Sequence, residues 1–319
     1  MLPYLLLIAG FLLLVKGADL LVEGASSIAR RFHMSDLMIG LTVVSFGTST
    51  PELFVNLIAT LNGNTDLAIG NIVGSNIANI LLILGVAAVI YPLNVSSGTV
   101  WKEIPFGFLA SMVLLIFTND RFIDQSPDSA VTRSEGLVLL LFFAIFMYYA
   151  VSIAQKIEGA DALTANVHSV SKSALLFFAG LIGLTLGGKW IVDGAMQIAL
   201  QFGMSQTLVG LTVVSIGTSL PELATSAIAA HKRNVDIAVG NVVGSNIFNI
   251  FFVLGSTALV RPIPFHAQNT FDLAVMIGAN ILLFASMFTG KKHVVDRWEG
   301  GLFLLAYAAY LVISIMRNV

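Results

Sequence analysis

Two short polar runs interrupt long apolar stretches of the chain. The first is SFGTSTPELF at residues 45–54, and the second is SIGTSLPELA at residues 215–224. Each run contains hydroxyl side chains, a proline and a carboxylate, none of which lipid tolerates when they are exposed. Carboxylate, hydroxyl and carbonyl oxygens are the ligands that hard cations such as Ca²⁺ prefer. The two runs therefore predict a cation-binding site.

The polar residues of each run share one side of a helix. In the first run they stand at i, i+3, i+4 and i+7, which places them on one helical face. They are Ser45, Thr48, Ser49 and Glu52. The second run repeats the pattern with Ser215, Thr218, Ser219 and Glu222.

A proline stands one residue before each glutamate. Pro51 and Pro221 have no N–H and crowd the carbonyl four residues back, so we expect the helices to open near Gly47 and Gly217. Irregular backbone at membrane depth survives only where it lines a protein cavity. A bound cation would give the freed carbonyls a partner.

The segment after each run adds further oxygen ligands. GNIVGSNIAN at 70–79 matches GNVVGSNIFN at 240–249. Each places a serine and an asparagine one turn apart on the same face: Ser75 with Asn79, and Ser245 with Asn249. Asn71 and Asn241 lie a further turn back and are interpreted either as ligands or as interhelical hydrogen bonders.

Each of these features also has a purely structural interpretation. A single proline often only kinks a membrane helix, and Gly70-x-x-x-Gly74 is a small-residue packing motif. Serine and threonine hydroxyls often bond to their own helix. A glutamate inside a membrane is costly, however, and two at equivalent positions favour the site interpretation.

The composition is that of an integral membrane protein. Of 319 residues, 57 % are hydrophobic and only 11 % are charged, whereas a soluble domain has about 25 % charged residues. A net charge of −2 gives no reason to expect a nucleic-acid partner, and the absence of cysteine excludes disulfides and thiolate metal sites.

Ten segments are long and apolar enough to cross a bilayer as helices. They are 2–29, 37–62, 67–90, 103–118, 134–154, 173–200, 206–230, 236–259, 271–289 and 298–316. The first begins at Met1 without a basic leader, and we expect it to be a retained transmembrane helix.

The distribution of basic residues orients these spans, because Lys and Arg favour the cytoplasmic side. With the N-terminus outside, ten basic residues fall inside: Arg30, Arg31, Lys102, Lys156, Lys172, Lys232, Arg233, Lys291, Lys292 and Arg297. Four fall outside: Arg121, Arg133, Arg261 and Arg317. We therefore expect a multi-pass protein of the plasma (inner) membrane with both termini outside.

The chain contains an internal repeat. A shift of 170 residues lays 39–85 on 209–255 without a gap, with about 28 of 47 positions identical. The repeats are 1–154 and 173–319, joined by a cytoplasmic linker at 155–172. Each has five spans, an odd number, so equivalent helices cross in opposite directions. We predict an all-α polytopic protein with two inverted-topology five-helix repeats, the construction of many secondary transporters.

The paired motifs resemble the two α-repeats of the cation/Ca²⁺ antiporter superfamily. Within it, the G-T-S-x-P-E form is similar to that of prokaryotic sodium/calcium exchangers, whereas the proton-coupled cation exchangers typically carry a G-N-A-x-E form. Some relatives, including those that co-transport K⁺, have Asp where this chain has Asn79 and Asn249. That difference weakens the case for K⁺ coupling.

The resemblance implies roles for individual residues. The acidic Ca²⁺ ligands correspond to Glu52 and Glu222, with Thr48 and Thr218 beside them. The Na⁺ ligands correspond to the side chains of Ser49, Ser75, Ser219 and Ser245 and to the carbonyls of Ser45 and Ser215. It further implies three Na⁺ exchanged for each Ca²⁺.

These observations predict an antiporter that exchanges Ca²⁺ for Na⁺, with no enzymatic activity, no cofactor and no obligatory protein partner. The transported ions and membrane lipid are the expected partners. Ca²⁺/H⁺ exchange is the alternative, because two close carboxylates can share protons. An ion channel fits less well, since pores usually form between several subunits. An intramembrane hydrolase lacks a nucleophile–base pair.

Overall fold

Long helices make up most of the chain. The structure is a computed structural model that describes residues 2–32, 34–123, 125–126, 128–154, 168–201 and 217–318. In the first half the helices are α1 Leu2–Arg31, α2 Asp36–Thr48, α3 Thr50–Leu61, α4 Thr65–Ile90, α5 Ser97–Phe117, α6 Asp120–Ile123 and α7 Arg133–Ala154. In the second half they are α8 Val170–Gln201, α9 Leu220–His231, α10 Val235–Val260, α11 Thr270–Ser286 and α12 Arg297–Asn318.

Two small antiparallel sheets connect loops of the two halves. Their strands are β1 Leu93–Asn94, β2 Ala130–Val131, β3 Ile263–Pro264 and β4 Val294–Val295. β1 pairs with β4, placing Leu93 opposite Val295, and β2 pairs with β3, placing Ala130 opposite Pro264. Each sheet therefore holds two loops on the same side of the helical bundle.

Nine of the ten predicted spans correspond to helices of spanning length. Eight are single helices, and the ninth is the bent pair α2–α3. The first part of the predicted span 206–230 lies outside the described residues, as do residues 155–167 of the predicted linker. The predicted span 103–118 begins earlier, at Ser97, because the Ser96 hydroxyl accepts a hydrogen bond from the backbone N–H of Thr99 at 3.2 Å.

Burial separates interior helices from peripheral ones. The most apolar stretch of α10 is 94 % buried and that of α4 is 78 % buried, against 33 % for α1 and α8 and 22 % for α7 and α12. Both interior helices begin at an asparagine whose side chain accepts from the helix backbone: Asn64 from the N–H of Leu67, and Asn234 from that of Ile237. The helices α4 and α10, which carry the GNIVGSNIAN and GNVVGSNIFN segments, are therefore at the centre of the bundle.

The helix that carries the first motif is broken at Ser49. α2 and α3 meet there at an angle of 42°. Pro51 lies in the first turn of α3, where a backbone N–H would have no acceptor within the helix, so the proline costs no hydrogen bond. The opening expected near Gly47 is thus located two residues later. Ser219 has nearly the same backbone angles as Ser49 and likewise precedes a helix with proline in its first turn.

In the described residues, three π-helical segments lie close to the motifs. They are Gly40–Val44 in α2, Asn79–Leu84 in α4 and Phe248–Leu254 in α10. The segments of α4 and α10 contain the predicted ligands Asn79 and Asn249. Because a π-turn shifts the hydrogen-bond ladder by one residue, such segments are often found at functional sites.

The long peripheral helices α1 and α8 pack against each other, antiparallel, along glycines spaced seven residues apart. Gly10 faces Gly187, Gly17 faces Gly180, and Gly24 faces Ser173. A Cβ atom on Gly180 would lie 2.5 Å from the backbone nitrogen of Leu21. The two backbones are therefore in direct contact, and there is no room for a side chain between them.

Gly180→Ala should destabilise the protein by about 1–3 kcal/mol, because the added methyl group forces the α1 and α8 backbones apart. The expected result is a lower thermal melting temperature of the purified protein in detergent. Gly278→Ala on α11 is the matched control, since a Cβ atom there meets nothing within 4 Å. Equal melting temperatures for the two variants would contradict close packing at Gly180.

Candidate metal centre

The predicted ligands are gathered in the buried centre of the bundle. Ten of them are at most 2 % exposed: Ser45, Thr48, Ser49, Glu52, Ser75, Asn79, Ser219, Glu222, Ser245 and Asn249. Thr218 is half-buried. Ser215 lies outside the described residues, so its predicted role as a carbonyl ligand remains a prediction.

Two equivalent hydrogen bonds join the two motifs. The hydroxyl of Thr48 donates to Oδ1 of Asn241 at 3.1 Å, and the hydroxyl of Thr218 donates to Oδ1 of Asn71 at 3.2 Å. Each bond runs from one repeat to the other, and the 170-residue shift converts one into the other. Of the two interpretations of Asn71 and Asn241, the structure places both as interhelical hydrogen-bond partners.

The serines that follow these threonines make unequal contacts. The Ser49 hydroxyl donates to Oε1 of Glu222 at 2.9 Å, which links the first motif directly to the carboxylate of the second. The Ser219 hydroxyl instead donates to the Ser75 hydroxyl at 3.3 Å. The two halves of the site are therefore similar in composition but differ in their hydrogen bonding.

The two glutamates are close enough for their charges to interact. Both are 1 % exposed, and the Oε2 atom of each is buried without a hydrogen-bond donor. No lysine or arginine pairs with either carboxylate among the described residues. Two carboxylates in this arrangement attract a cation, because burying unpaired charges is costly.

Among the other predicted ligands that the structure describes, three have a buried oxygen without a hydrogen-bond partner. They are Asn79 Oδ1, Asn249 Oδ1 and Ser245 Oγ. The amide of Asn79 is oriented by its bond to Oδ1 of Asn246 at 2.9 Å, which leaves its own oxygen free to accept. Unpaired buried acceptors are costly unless something binds them. Their chemistry fits an oxygen-ligated cation.

Both the hydroxyl and the carbonyl of Ser45 are hydrogen-bonded within its own helix. Its hydroxyl donates to the carbonyl of Leu41 at 2.7 Å and is thereby occupied. Its carbonyl accepts the N–H of Ser49 at 3.0 Å and also lies 3.4 Å from the Thr48 hydroxyl. Two donors therefore already face this carbonyl oxygen, and its role as a Na⁺ ligand remains a prediction.

Sequence reasoning did not identify the role of two asparagines. Asn56 follows Glu52 by one turn, is fully buried, and donates to the Glu52 carbonyl at 2.6 Å while its own Oδ1 lacks a donor. Asn246 orients Asn79, as described above. The i, i+4, i+8 spacing of Glu52, Asn56 and Thr60 indicates that Asn56 continues the polar face of α3 that carries Glu52.

Neutral oxygens, and not clustered acids, dominate this centre. In the part of the chain that the structure describes, no three His, Cys, Asp or Glu side chains come together to hold a metal ion. Two carboxylates with surrounding hydroxyls and amides form a donor set of hard ligands only. Such a set suits Ca²⁺ and other hard cations better than transition metals, which favour imidazole and thiolate.

Known proteins resemble this chain over nearly its whole length. The family described as "Sodium/calcium exchanger protein" matches residues 2–152 and 172–316. The putative antiporter CaxA of Alkalimonas amylolytica is 38 % identical over 294 residues, covering 89 % of this chain and 90 % of that protein. The sodium/calcium exchanger MaX1 of Methanosarcina acetivorans is 31 % identical over 343 aligned residues, covering 97 % of both. A solved structure of the sodium-calcium exchanger NCX_Mj matches with a TM-score of 0.84 at 33 % identity, covering 98 % of both chains.

Replacing either buried carboxylate should abolish tight Ca²⁺ binding. Glu52→Gln or Glu222→Gln is expected to weaken Ca²⁺ affinity about 30-fold or more, since losing one partner of a buried charge pair costs about 2–5 kcal/mol. Isothermal titration calorimetry of the purified protein measures this affinity. Glu135→Gln at the start of α7, whose carboxylate bonds only Thr132, is the control. Near wild-type affinity in either site variant would show that the site is elsewhere.

Proposed function

Because the chain belongs to the sodium/calcium exchanger family, we propose that it exchanges Ca²⁺ for Na⁺ across the plasma membrane. Na⁺ entering down its gradient drives Ca²⁺ out of the cell. The observation that carries this proposal is the buried pair Glu52 and Glu222, each with an oxygen that lacks a donor. Both ions are substrates, so no resident cofactor is needed.

The ligands are assigned by charge and position. Ca²⁺ binds between Glu52 and Glu222, with oxygens of Thr48 and Thr218 completing its shell. Na⁺ ions bind the two glutamates together with neutral oxygens of the surrounding residues: Ser45, Ser49, Ser75, Asn79, Ser215, Ser219, Ser245 and Asn249. The unpaired oxygens of Asn79, Asn249 and Ser245 support this assignment.

Exchange without leak follows from the charge of the site. An empty site would carry two buried carboxylates through a closed state, at a cost of several kcal/mol per charge. Bound Ca²⁺ neutralises these charges and bound Na⁺ offsets them, so the loaded protein changes conformation far more readily than the empty one. One ion species can therefore cross only in exchange for the other.

Ten spans in two inverted repeats form the proposed topology. The β2–β3 sheet requires an even number of crossings between Val131 and Ile263, because both strands lie on one side. α7, α8 and α10 supply three crossings, and a span at 206–230 supplies the fourth. The antiparallel packing of α1 and α8, which are equivalent helices of the two repeats, also supports inversion.

The orientation of the protein follows from its basic residues. The sheet β1–β4 joins two loops that we place in the cytoplasm; Lys291 lies in one of them, and Lys102 lies near the start of α5, which follows the other. The sheet β2–β3 joins the loops that we place outside. The same side is predicted for both loops of each sheet, so the pairing is consistent with this arrangement of spans, and the basic residues place both termini outside.

Alternating access requires one part of the protein to move. We assign this movement to α1 and α8, which pack together through glycine. Their contacts with the motif helices are partly apolar, such as Phe177 and Leu181 of α8 against Gly47 of α2, and partly polar. Among the polar contacts, the Lys232 ammonium lies 2.5 Å from the Asp19 carboxylate of α1, and the Asn234 amide donates to the Ser26 hydroxyl at 3.1 Å. Such partly exposed polar contacts break and re-form at low cost.

Ca²⁺/H⁺ exchange is the alternative function. The closeness of Glu52 and Glu222 favours it, because two neighbouring carboxylates can share a proton. Protons would then replace Na⁺ as the ions that neutralise the empty site. The hydroxyl and amide oxygens around the glutamates favour Na⁺, because Na⁺ needs several oxygen ligands whereas a proton binds a single oxygen.

The exchanged ion can be identified in vesicles that contain the purified protein. Ca²⁺ uptake should occur when Na⁺ is loaded inside and diluted outside, and it should be absent when only a pH gradient or a K⁺ gradient is imposed. Vesicles containing the Glu52→Gln variant measure the background. Uptake driven by the pH gradient alone would replace this proposal with Ca²⁺/H⁺ exchange.

Exchange should carry net charge. With two ionised glutamates, one Ca²⁺ neutralises the site and three Na⁺ leave one positive charge, which is worth about 2.3 kcal/mol per 100 mV of membrane potential. In Na⁺-loaded vesicles one positive charge leaves with each Ca²⁺ that enters. An inside-positive potential, set with K⁺ and valinomycin, should therefore speed Ca²⁺ uptake and an inside-negative one should slow it.

Uptake that does not depend on the potential would rule out three Na⁺ for each Ca²⁺. It would leave electroneutral exchange, with two Na⁺ or two H⁺ for each Ca²⁺. A faster rate at an inside-negative potential would contradict the proposed count equally.

A further inference from the structure

An apolar groove of about 710 Å³ lies between α2, α7 and α8, separate from the carboxylates. Its volume is within the range of about 300–1,000 Å³ that is typical of ligand sites. Aromatic and aliphatic side chains form its walls, among them Met38, Phe143, Phe177 and Leu181, together with Phe248 of α10. Ser45, a proposed Na⁺ ligand, lies along one wall, and no carboxylate lines the groove.

The hydroxyl groups along the groove have no free hydrogen-bond donor. Thr42 donates to the carbonyl of Met38 at 2.7 Å, Ser45 donates to that of Leu41, and Thr50 donates to that of Phe46 at 2.7 Å. Each hydroxyl is therefore directed back into its own helix. A ligand of this groove needs no polar atoms along its length.

The groove opens toward the membrane. In the described part of the chain, Phe46, Phe178 and Val151 line it and are 47 %, 60 % and 52 % exposed. Because these residues belong to membrane-spanning helices, hydrocarbon and not water surrounds them. The occupant with matching chemistry is a lipid acyl chain.

The length of the groove matches one leaflet of the bilayer. It follows α2 from its first turn, near Met38, to Thr50 at the start of α3. At 1.5 Å per residue this is about 20 Å, and half of the bilayer hydrocarbon is about 15 Å thick. A single acyl chain would therefore extend from the membrane surface to the level of the motifs.

The end of the groove at the membrane surface lies near the C-terminal end of α1 and the N-terminal end of α8, both of which carry basic residues. Phe32 lines this end and directly follows Arg31, the last residue of α1. Lys172 is in the first turn of α8, which forms another wall. Both basic side chains are exposed, and among the described residues neither takes part in an ion pair. These charges complement the phosphate of a lipid whose chain occupies the groove.

We propose that this groove binds one anionic phospholipid of the bilayer, with an acyl chain between α2, α7 and α8 and its phosphate against Arg31 and Lys172. Lipid tails are as apolar as the groove walls, so the chain alone gives no selectivity. The basic residues supply the preference for an anionic headgroup.

Native mass spectrometry of the full-length protein with phosphatidylglycerol and phosphatidylcholine of identical chains tests this proposal. The wild type should retain one phosphatidylglycerol and prefer it to phosphatidylcholine. Arg31→Gln and Lys172→Gln should each weaken phosphatidylglycerol binding about fivefold, as expected for one basic residue at a membrane surface. Arg121→Gln, an exposed basic residue at the predicted opposite side, is the matched control and should change nothing.

A second variant tests the location of the acyl chain. Val151→Trp fills the groove and should abolish retention of the lipid, whereas Leu305→Trp, at an exposed position of α12, should leave it unchanged. Equal melting temperatures in lipid-free detergent would show that both variants are folded. Retention of phosphatidylglycerol by Val151→Trp, or equal binding of the two lipids by the wild type, would overturn the proposal.

Discussion

The cost of burying two like charges inside a membrane protein is the constraint on which this structure depends. Glu52 and Glu222 lie in the least exposed part of the bundle, and an oxygen of each lacks a donor. Such a pair persists only where surrounding groups, and a cation, compensate the charge. The two most buried helices, α4 and α10, supply these groups, so the arrangement of the interior follows from the needs of the carboxylates.

The compensation depends on contacts between the repeats. Neither motif forms a complete site, because the Thr48 hydroxyl is bound by Asn241 of the other half and the Thr218 hydroxyl by Asn71. These two bonds position each threonine beside the glutamate of the opposite motif. A site made in this way changes shape whenever the two halves move relative to each other, which is a property that a transporter of ions requires.

The peripheral helices α1 and α8 are held together by a different interaction from the one that organises the interior. α1 and α8 are held together by close backbone packing along glycine, which needs no polar group and no hydrophobic effect. Their connection to the interior combines apolar contacts, such as those of Phe177 and Leu181 with Gly47, and half-buried polar contacts such as Asp19 with Lys232. The direct backbone contact within the pair keeps α1 and α8 together, so we expect them to move as one body.

The sequence alone determined the apolar spans, the repeat and the identity of the polar residues, because hydropathy and spacing are local properties. It also predicted that a proline would interrupt each motif helix. Only the tertiary structure decided that the first break lies at Ser49, that Ser49 bonds Glu222 whereas Ser219 bonds Ser75, and that Asn246 orients Asn79. These pairings join residues more than 140 positions apart, and they depend on how the helices pack, which no local pattern encodes.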